Sequence, residues 1–196
     1  MRAAIRIIDA DGLAAFSLPR LATEFGVRVP SLYHHFKDRD DILFAVVQYV
    51  AGTAVAVSGQ LPGPGWPRHF ALLARNFRRS FLEHRNTAPL LMRYRPRDLL
   101  PGGYEAAAKF LAESEVPVEL HIRILDGMET LLIGTVLCEV MNPFLQSGSG
   151  FAKMEARSHP KLAAAAEACP MDAASLCERK VLAFLNGVSH RISRTS

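Results

Sequence analysis

Between Arg28 and Lys37 the chain reads RVPSLYHHFK. It carries a guanidinium, a hydroxyl, a phenol, two imidazoles and an ammonium within ten residues. Such groups donate to base edges and to phosphate oxygens. On a 3.6-residue wheel Leu32 and Phe36 share one side, and Val27 can join them from the preceding turn. That side is expected to pack on Leu21 and Phe25. His35 lies nearer to it and is expected to be buried. The opposite side presents Pro30, Ser31, His34 and Lys37, with Tyr33 at the edge. Ser31 and Pro30 are small enough to let a helix end approach base edges.

The elements around this stretch must hold it in place. Met1 to Asp11 reads as a helix through Ile5 and Ile8, and Gly12 is suited to cap its C-terminus. Ser17 offers an N-cap, with Pro19 tolerated in the first turn. Leu18, Leu21, Ala22 and Phe25 share a face of the helix that follows, and Gly26 stops it. Pro30 starts a very short third helix, expected to run to Lys37, and forces Val29 away from helical angles. Asp38 can cap a fourth helix, with Asp40 and Asp41 near its positive end. That helix runs through Ile42, Leu43, Val46 and Val47, towards Ser58. Two helices joined by a tight glycine-containing turn make a helix-turn-helix, whose second helix enters the DNA major groove.

This stretch resembles the N-terminal domain of the TetR family of bacterial transcriptional regulators. The matching residues are Leu21-Ala22, Gly26-Val27, Pro30-Ser31-Leu32-Tyr33, His35-Phe36, Lys37 and Leu43, with the spacing GV...SLYHHF.....L intact. The resemblance is close over Ile5 to Val47 and architectural beyond it. It implies that Ser31 and His34 sit where recognition-helix contacts are made. Tyr33 and Lys37 sit where phosphate contacts are common, and Arg28, Val29 and Pro30 form the leading edge. Arg39 either touches phosphate or is solvated. The sequence departs from the family pattern at Arg28, where a serine or threonine cap is usual, and at Pro19, where a backbone donor often helps hold phosphate. The chain begins almost inside its first helix. Contact of a basic N-terminal arm with the minor groove is therefore not expected.

Composition sets the wider frame. The chain has 196 residues, 49% of them hydrophobic and 21% charged, a balance that fits a helical globular protein. Its net charge is +4, yet the first 48 residues hold six basic side chains (Arg2, Arg6, Arg20, Arg28, Lys37, Arg39) and six acidic ones (Asp9, Asp11, Glu24, Asp38, Asp40, Asp41). A neutral DNA-reading module predicts modest non-specific affinity, with a salt slope shallower than about −8. The three cysteines, Cys138, Cys169 and Cys177, are odd in number and lack metal-ligand spacing. They read as thiols of a reduced, cytoplasmic protein. Ile42 to Gln60 is uncharged for nineteen residues. Its Gln48, Gly52, Thr53, Ser58 and Gly59 argue for a buried helix between two domains rather than a membrane span.

Beyond residue 47, GQLPGPGWP (Gly59 to Pro67) breaks the helical pattern. Helical periods return over Trp66–His84, Tyr104–Ser114, Val118–Met141, Leu162–Ala168 and from an Asp172 cap to about Ile192. TAPLLMRYR is a short helix or turn, LPGG (Leu100 to Gly103) a break, and NPFLQSGSG (Asn142 to Gly150) a flexible loop. The fold class is all-α. An N-terminal three-helix helix-turn-helix domain over 1–47 precedes a helical effector-binding and dimerisation domain over 48–196.

In Val118–Met141 one apolar face holds Ile122, Leu125, Leu132 and Val136, and another holds Ile124, Met128, Leu131 and Thr135. Gly127 and Gly134 permit close helix approach. The final helix offers Leu176, Val181, Phe184, Leu185 and Val188. Pairing the helices near 118–141 and 172–192 across a twofold axis would give a four-helix homodimer interface.

Large adaptable side chains, Phe77, Phe81, Leu91, Met92, Tyr94, Phe110, Leu125 and Met128, could line a ligand site or fill a dry core. The family resemblance implies a pocket. His121, Arg123 and Glu129 are candidates to orient a polar ligand group. Arg75, Arg78 and Arg79 could attract an acidic ligand, although a solvated face is the default. No hydrolase, metalloprotease, P-loop or dinucleotide motif occurs, so no enzymatic activity, cofactor or metal is expected.

The resemblance implies a sequence-specific DNA-binding transcriptional regulator. Its partners would be a double-stranded operator, an unidentified small-molecule effector and a second copy of the chain. The specific reading is a repressor released from a pseudo-palindromic operator by the ligand. The alternatives are an activator, or a ligand-binding or interaction protein of the same fold with weak or no DNA binding.

Overall fold

Ser17, Asp38 and Asp172 each cap the start of a helix in this chain. The computed structural model describes residues 1–55, 61–142 and 158–192. Among them only helices and turns occur: α1 (Arg2–Asp11), α2 (Leu18–Phe25), α3 (Val29–Tyr33), α4 (Arg39–Ala54), α5 (Trp66–Glu83), α6 (Pro96–Leu99), α7 (Pro101–Glu113), α8 (Val118–Met141), α9 (Pro160–Glu167) and α10 (Ala173–Ile192). Leu13–Ala15 and Arg85–Met92 are 3-10 turns. Gly12 follows α1 at φ +81, a backbone angle that a side chain resists. Asp172 caps α10 through a 2.7 Å bond from the Ser175 amide.

Packing divides the chain into two compact units. The first is Met1–Ser58 with Asn76–Ala107, and the second is Gly59–Arg75 with Ala108–Ser196. The all-α class, with a helix-turn-helix at the N-terminus and a helical remainder, stands. Segment 1–47 is part of the larger first unit.

In the first unit α4 is the axis. Its Ile42, Leu43, Val46, Val47, Val50 and Ala51 are all buried, against α1, α6 and the 85–92 turn. Each aliphatic group so buried contributes about 1.5–3 kcal/mol. Two polar groups in the expected uncharged run are satisfied here: Gln48 Nε2 donates to the Leu99 carbonyl at 2.7 Å, and Thr53 and Ser80 hydroxyls lie 2.9 Å apart. No helix among the described residues is long and apolar enough to cross a membrane.

In the second unit α8 packs on α10. A Cβ at Gly127 would lie 2.3 Å from Phe184 Cζ, so the glycine is what lets the two helices meet. At Gly134 a Cβ would meet nothing within 4 Å. Ile124, Met128 and Val136 face the core, as do Val181 and Leu185 from α10. Ile122 is 73% exposed, so the two apolar faces expected on α8 are unequal.

Several helix ends differ from expectation. α3 starts at Val29, one residue early, because the Ser31 amide already bonds the Arg28 carbonyl at 2.9 Å. It ends at Tyr33, although the Phe36 amide still reaches the Leu32 carbonyl at 3.0 Å. Pro101 opens α7 instead of breaking the chain, since a proline lacks only an amide that the first turn leaves unpaired. α4 ends at Ala54; Ser58 lies outside the described residues, as does the loop expected at 143–150.

Candidate nucleic-acid interface

Ser17 accepts the Arg20 amide at 3.4 Å and opens α2, with Pro19 inside its first turn. Gly26 closes α2 in the left-handed region, φ 65 and ψ 28, and lets the Val27 amide return to the Ala22 carbonyl at 3.0 Å. Open space surrounds a Cβ at Gly26, so the backbone angle alone selects glycine there. Arg28 sits at the N-cap of α3 in extended geometry and makes no capping bond from its side chain. The missing serine or threonine cap is thus a real omission.

Only Leu32 of α3 is buried. Arg28, Pro30, Ser31, Tyr33, His34 and Lys37 are exposed, and Val29 is half-buried. Pro30, Ser31, Tyr33, His34 and Lys37 are the outward set that the wheel predicts. The inward set is smaller than expected. Phe25 is 51% exposed and Val27 43% exposed, and His35 is exposed rather than buried. The helical part spans five residues, little more than one turn, so it can commit one side chain to the core. Leu21 and Ala22 supply the buried partner surface on α2.

The cations of this region divide into two groups. Arg6 pairs with Glu24 at 2.9 Å, and Arg20 pairs with Asp11. Arg39 is spent inside the fold. Its Nε donates to the Phe16 carbonyl at 3.2 Å and its terminal nitrogen to the Leu13 carbonyl at 3.0 Å. The guanidinium lies over the Phe16 ring, 5.8 Å from its centre. Simple solvation does not describe it. Arg28 and Lys37 form no side-chain ion pair among the described residues and stay available to a polyanion. The Lys37 backbone is itself held: its amide donates to Asp41 Oδ2 at 3.1 Å, while the Asp41 amide donates to Asp38 Oδ1 at 2.8 Å. That reciprocal cap fixes the start of α4 and the root of the Lys37 side chain together.

The residues expected to meet a ligand fall into both packing units. In the first, Phe77 and Phe81 are buried with ring centres 4.8 Å apart, and Leu91 is buried. Met92 is 75% exposed. Tyr94 turns to α4: its hydroxyl donates to the Asp40 carbonyl at 3.3 Å and its ring meets Phe44 edge-on at 5.5 Å. Burial raises the Tyr94 hydroxyl pKa, with Arg93 pulling the other way. Arg93 is paired with Asp40.

In the second unit His121, Met128 and Glu129 are buried, and Phe110 and Leu125 are half-buried. His121 Nε2 lies 2.9 Å from the Val116 carbonyl. A cleft of about 590 Å³ in this unit is lined by Trp66, Glu113, Ser114, Val116 and Ser189 among others, and by none of the expected residues.

Two roles were not legible in the sequence. One is that of Arg39, whose carbonyl partners lie 23 and 26 positions earlier, beyond any local signal. The other is that of His69. Its ring stacks on Phe110 at 4.0 Å and meets Phe70 edge-on at 5.5 Å, and its Nδ1 is buried with no hydrogen-bond partner among the described residues. Burial lowers its pKa.

A family profile described as "Bacterial regulatory proteins, tetR family" matches residues 1–46. The tetracycline repressor class E of Escherichia coli is 25% identical over 136 residues, 69% of this chain and 64% of that protein. The matched stretch is therefore under two thirds of that relative. Among solved structures, ActR of Streptomyces coelicolor in complex with actinorhodin is 27% identical, with a TM-score of 0.74, over 96% of this chain and 94% of that one. SCO0253, a TetR-family transcriptional regulator from Streptomyces coelicolor, is 31% identical with a TM-score of 0.59, over 71% of this chain and 80% of that one.

Proposed function

The chain belongs to the TetR family of bacterial regulatory proteins, and from that we propose that it is a sequence-specific DNA-binding transcriptional regulator. One observation carries the reading. A single anchored leucine holds a stubby helix whose cations, Arg28 before it and Lys37 after it, are left unpaired beside exposed Ser31, Tyr33 and His34. Arg6, Arg20 and Arg39 are spent on internal partners, while the two cations flanking this helix have none among the described residues, which suits phosphate. The hydroxyl and imidazole between them suit base edges. Residues 1–47 are the DNA-reading part and 48–196 the effector and dimer part.

The working state is a cytoplasmic homodimer through α8 and α10, reading two half-sites of a pseudo-palindrome. It acts as a repressor. A small-molecule effector releases it by favouring a separation of the two α3 helices that no longer matches the half-sites. Two relatives suggest where to begin the ligand search. One is named for tetracycline and the other is bound to actinorhodin, so polycyclic aromatic compounds are the first to try.

Footprinting the DNA upstream of its own gene tests the proposal. Protection of a palindrome that shrinks on adding an effector supports it. A protected site on which transcription rises makes the protein an activator. No protection at low salt points to a ligand-binding protein of the same fold.

A further inference from the structure

We infer that Arg39 is a positioning residue for operator reading, one that sets the attitude of α2 and α3 on α4 and does not bind phosphate itself. The inference rests on the DNA-binding reading above. Arg39 is the first residue of α4 and is half-buried. Its side chain reaches back over the turn between α1 and α2. There it takes two carbonyls, those of Leu13 and Phe16, and lies on the fully buried Phe16 ring.

The next residue after Phe16 is Ser17, the cap of α2. The guanidinium therefore ties the point where α2 begins to the point where α4 begins. Asp38 and Asp41 lock the same end of α4 to the Lys37 backbone. α3 lies between these two fixed ends. With only Leu32 to anchor it, α3 depends on them for its angle to the DNA.

The chemistry explains why the residue is arginine. Two carbonyls three residues apart need two N–H groups on a rigid plane, and a flat cation to lie on the ring. Lysine offers a point charge at one atom. At a phosphate-contact position the two would be close substitutes, since either supplies one positive charge. This difference separates the roles.

The experiment measures binding of the wild-type dimer, Arg39→Lys and Arg39→Gln to the protected upstream palindrome over a range of salt. Concentrations are corrected to the folded fraction by circular dichroism. The expected result is a loss of about tenfold in Arg39→Lys despite the retained charge, with an unchanged slope of log K against log salt. Removing a phosphate contact instead lowers the slope by about 0.9. Arg39→Gln should lose as much as Arg39→Lys, again with an unchanged slope. Lys37→Gln provides the reference for a lost phosphate contact.

Hydrogen exchange at the amides of Ala15, Phe16 and Leu21 gives a second readout. Protection there should fall in Arg39→Lys while α1 stays protected. Wild-type affinity in Arg39→Lys, or a slope lowered by about 0.9 in Arg39→Gln and restored in Arg39→Lys, overturns the inference and leaves the DNA-binding reading intact. A wild-type protein that protects no DNA at low salt overturns both.

Discussion

Helices α3 and α8 face opposite packing problems. α3 has five residues and buries one side chain, Leu32; it exposes Pro30 and the hydroxyls of Ser31 and Tyr33, and the flanking Arg28, His34 and Lys37 add exposed cations and an imidazole. α8 has 24 residues and buries Leu120, Ile124, Met128 and Val136, together with His121, Glu129 and Glu139. Beside charged Glu119 and Arg123, α8 leaves large apolar side chains outside near its ends: Val118, Ile122 and Met141 are all largely exposed. The two helices thus differ less in how much they expose than in what they expose. Unpaired cations cost little in water and gain from a polyanion. Exposed aliphatics gain from a second apolar surface, and contiguous ones mark protein contacts. The same exposure points to nucleic acid at one helix and to a second protein surface at the other.

The comparison breaks first at the anchors. Ile124→Ala and Leu32→Ala should each destabilise by about 2–5 kcal/mol, with Ile124 at the higher end because it is fully buried. Thermal melts check this. If Leu32→Ala melts like the wild type, α3 is not held as described. Gly127→Val comes next, at about 1–3 kcal/mol, because its side chain meets Phe184 and the helices must part.

Surface changes sharpen the contrast without touching the cores. Ile122→Asp should leave the melting of the folded chain nearly unchanged at low concentration, yet raise the dimer dissociation constant about tenfold or more, which is about 1.4 kcal/mol. Sedimentation at several concentrations reads it, and an unchanged constant would remove Ile122 from the interface. On α3, His34→Ala and Ser31→Ala should relax base preference by about 1–3 kcal/mol at single positions of the site. Arg28→Gln and Lys37→Gln should instead weaken binding evenly across sequences and lower the salt slope by about 0.9 each. A sequence-dependent loss at Lys37 would move it from phosphate to base contact.

How much of this was legible beforehand follows from the range of each interaction. Ser17, Gly26, Asp38 and Asp172 act within three or four residues of themselves, and the chain alone reveals them as caps. The outward face of α3 was legible for the same reason. Phe25, Val27 and His35 were not, because burial depends on which element lies above them, and a helix little longer than one turn covers only one residue. Arg39 and Tyr94 were hidden more deeply. Their partners are carbonyls 23, 26 and 54 positions away, and a carbonyl has no sequence signature. The effector residues were gathered by size and softness, a property that core-filling residues share. Phe77 and Phe81 are indeed buried against each other, and His121 answers the Val116 carbonyl.

The smallest expected effect concerns His69, the counterpart in α5 of the unpaired cations that flank α3. There a polar group is exposed and ready for a partner; here one is buried and has none at Nδ1 among the described residues. Burial lowers the His69 pKa below its ordinary value of 6.5, so the folded protein binds the proton less readily than the unfolded chain. Above that value both states are neutral and the group adds nothing to the pH dependence. As pH falls through 6.5 the unfolded chain takes up the proton first, and stability declines until the folded ring also protonates. His69→Phe should therefore flatten the fall in stability between about pH 7 and pH 5. It should also raise stability at neutral pH by about 1 kcal/mol, since a buried nitrogen without a partner is removed while a flat ring remains to stack on Phe110. Urea denaturation at pH 7.5 and pH 5.5 compares the two proteins. If the mutant loses stability on acidification as steeply as the wild type, the proton sensitivity lies elsewhere, and the His69 ring is hydrated where it is described as dry.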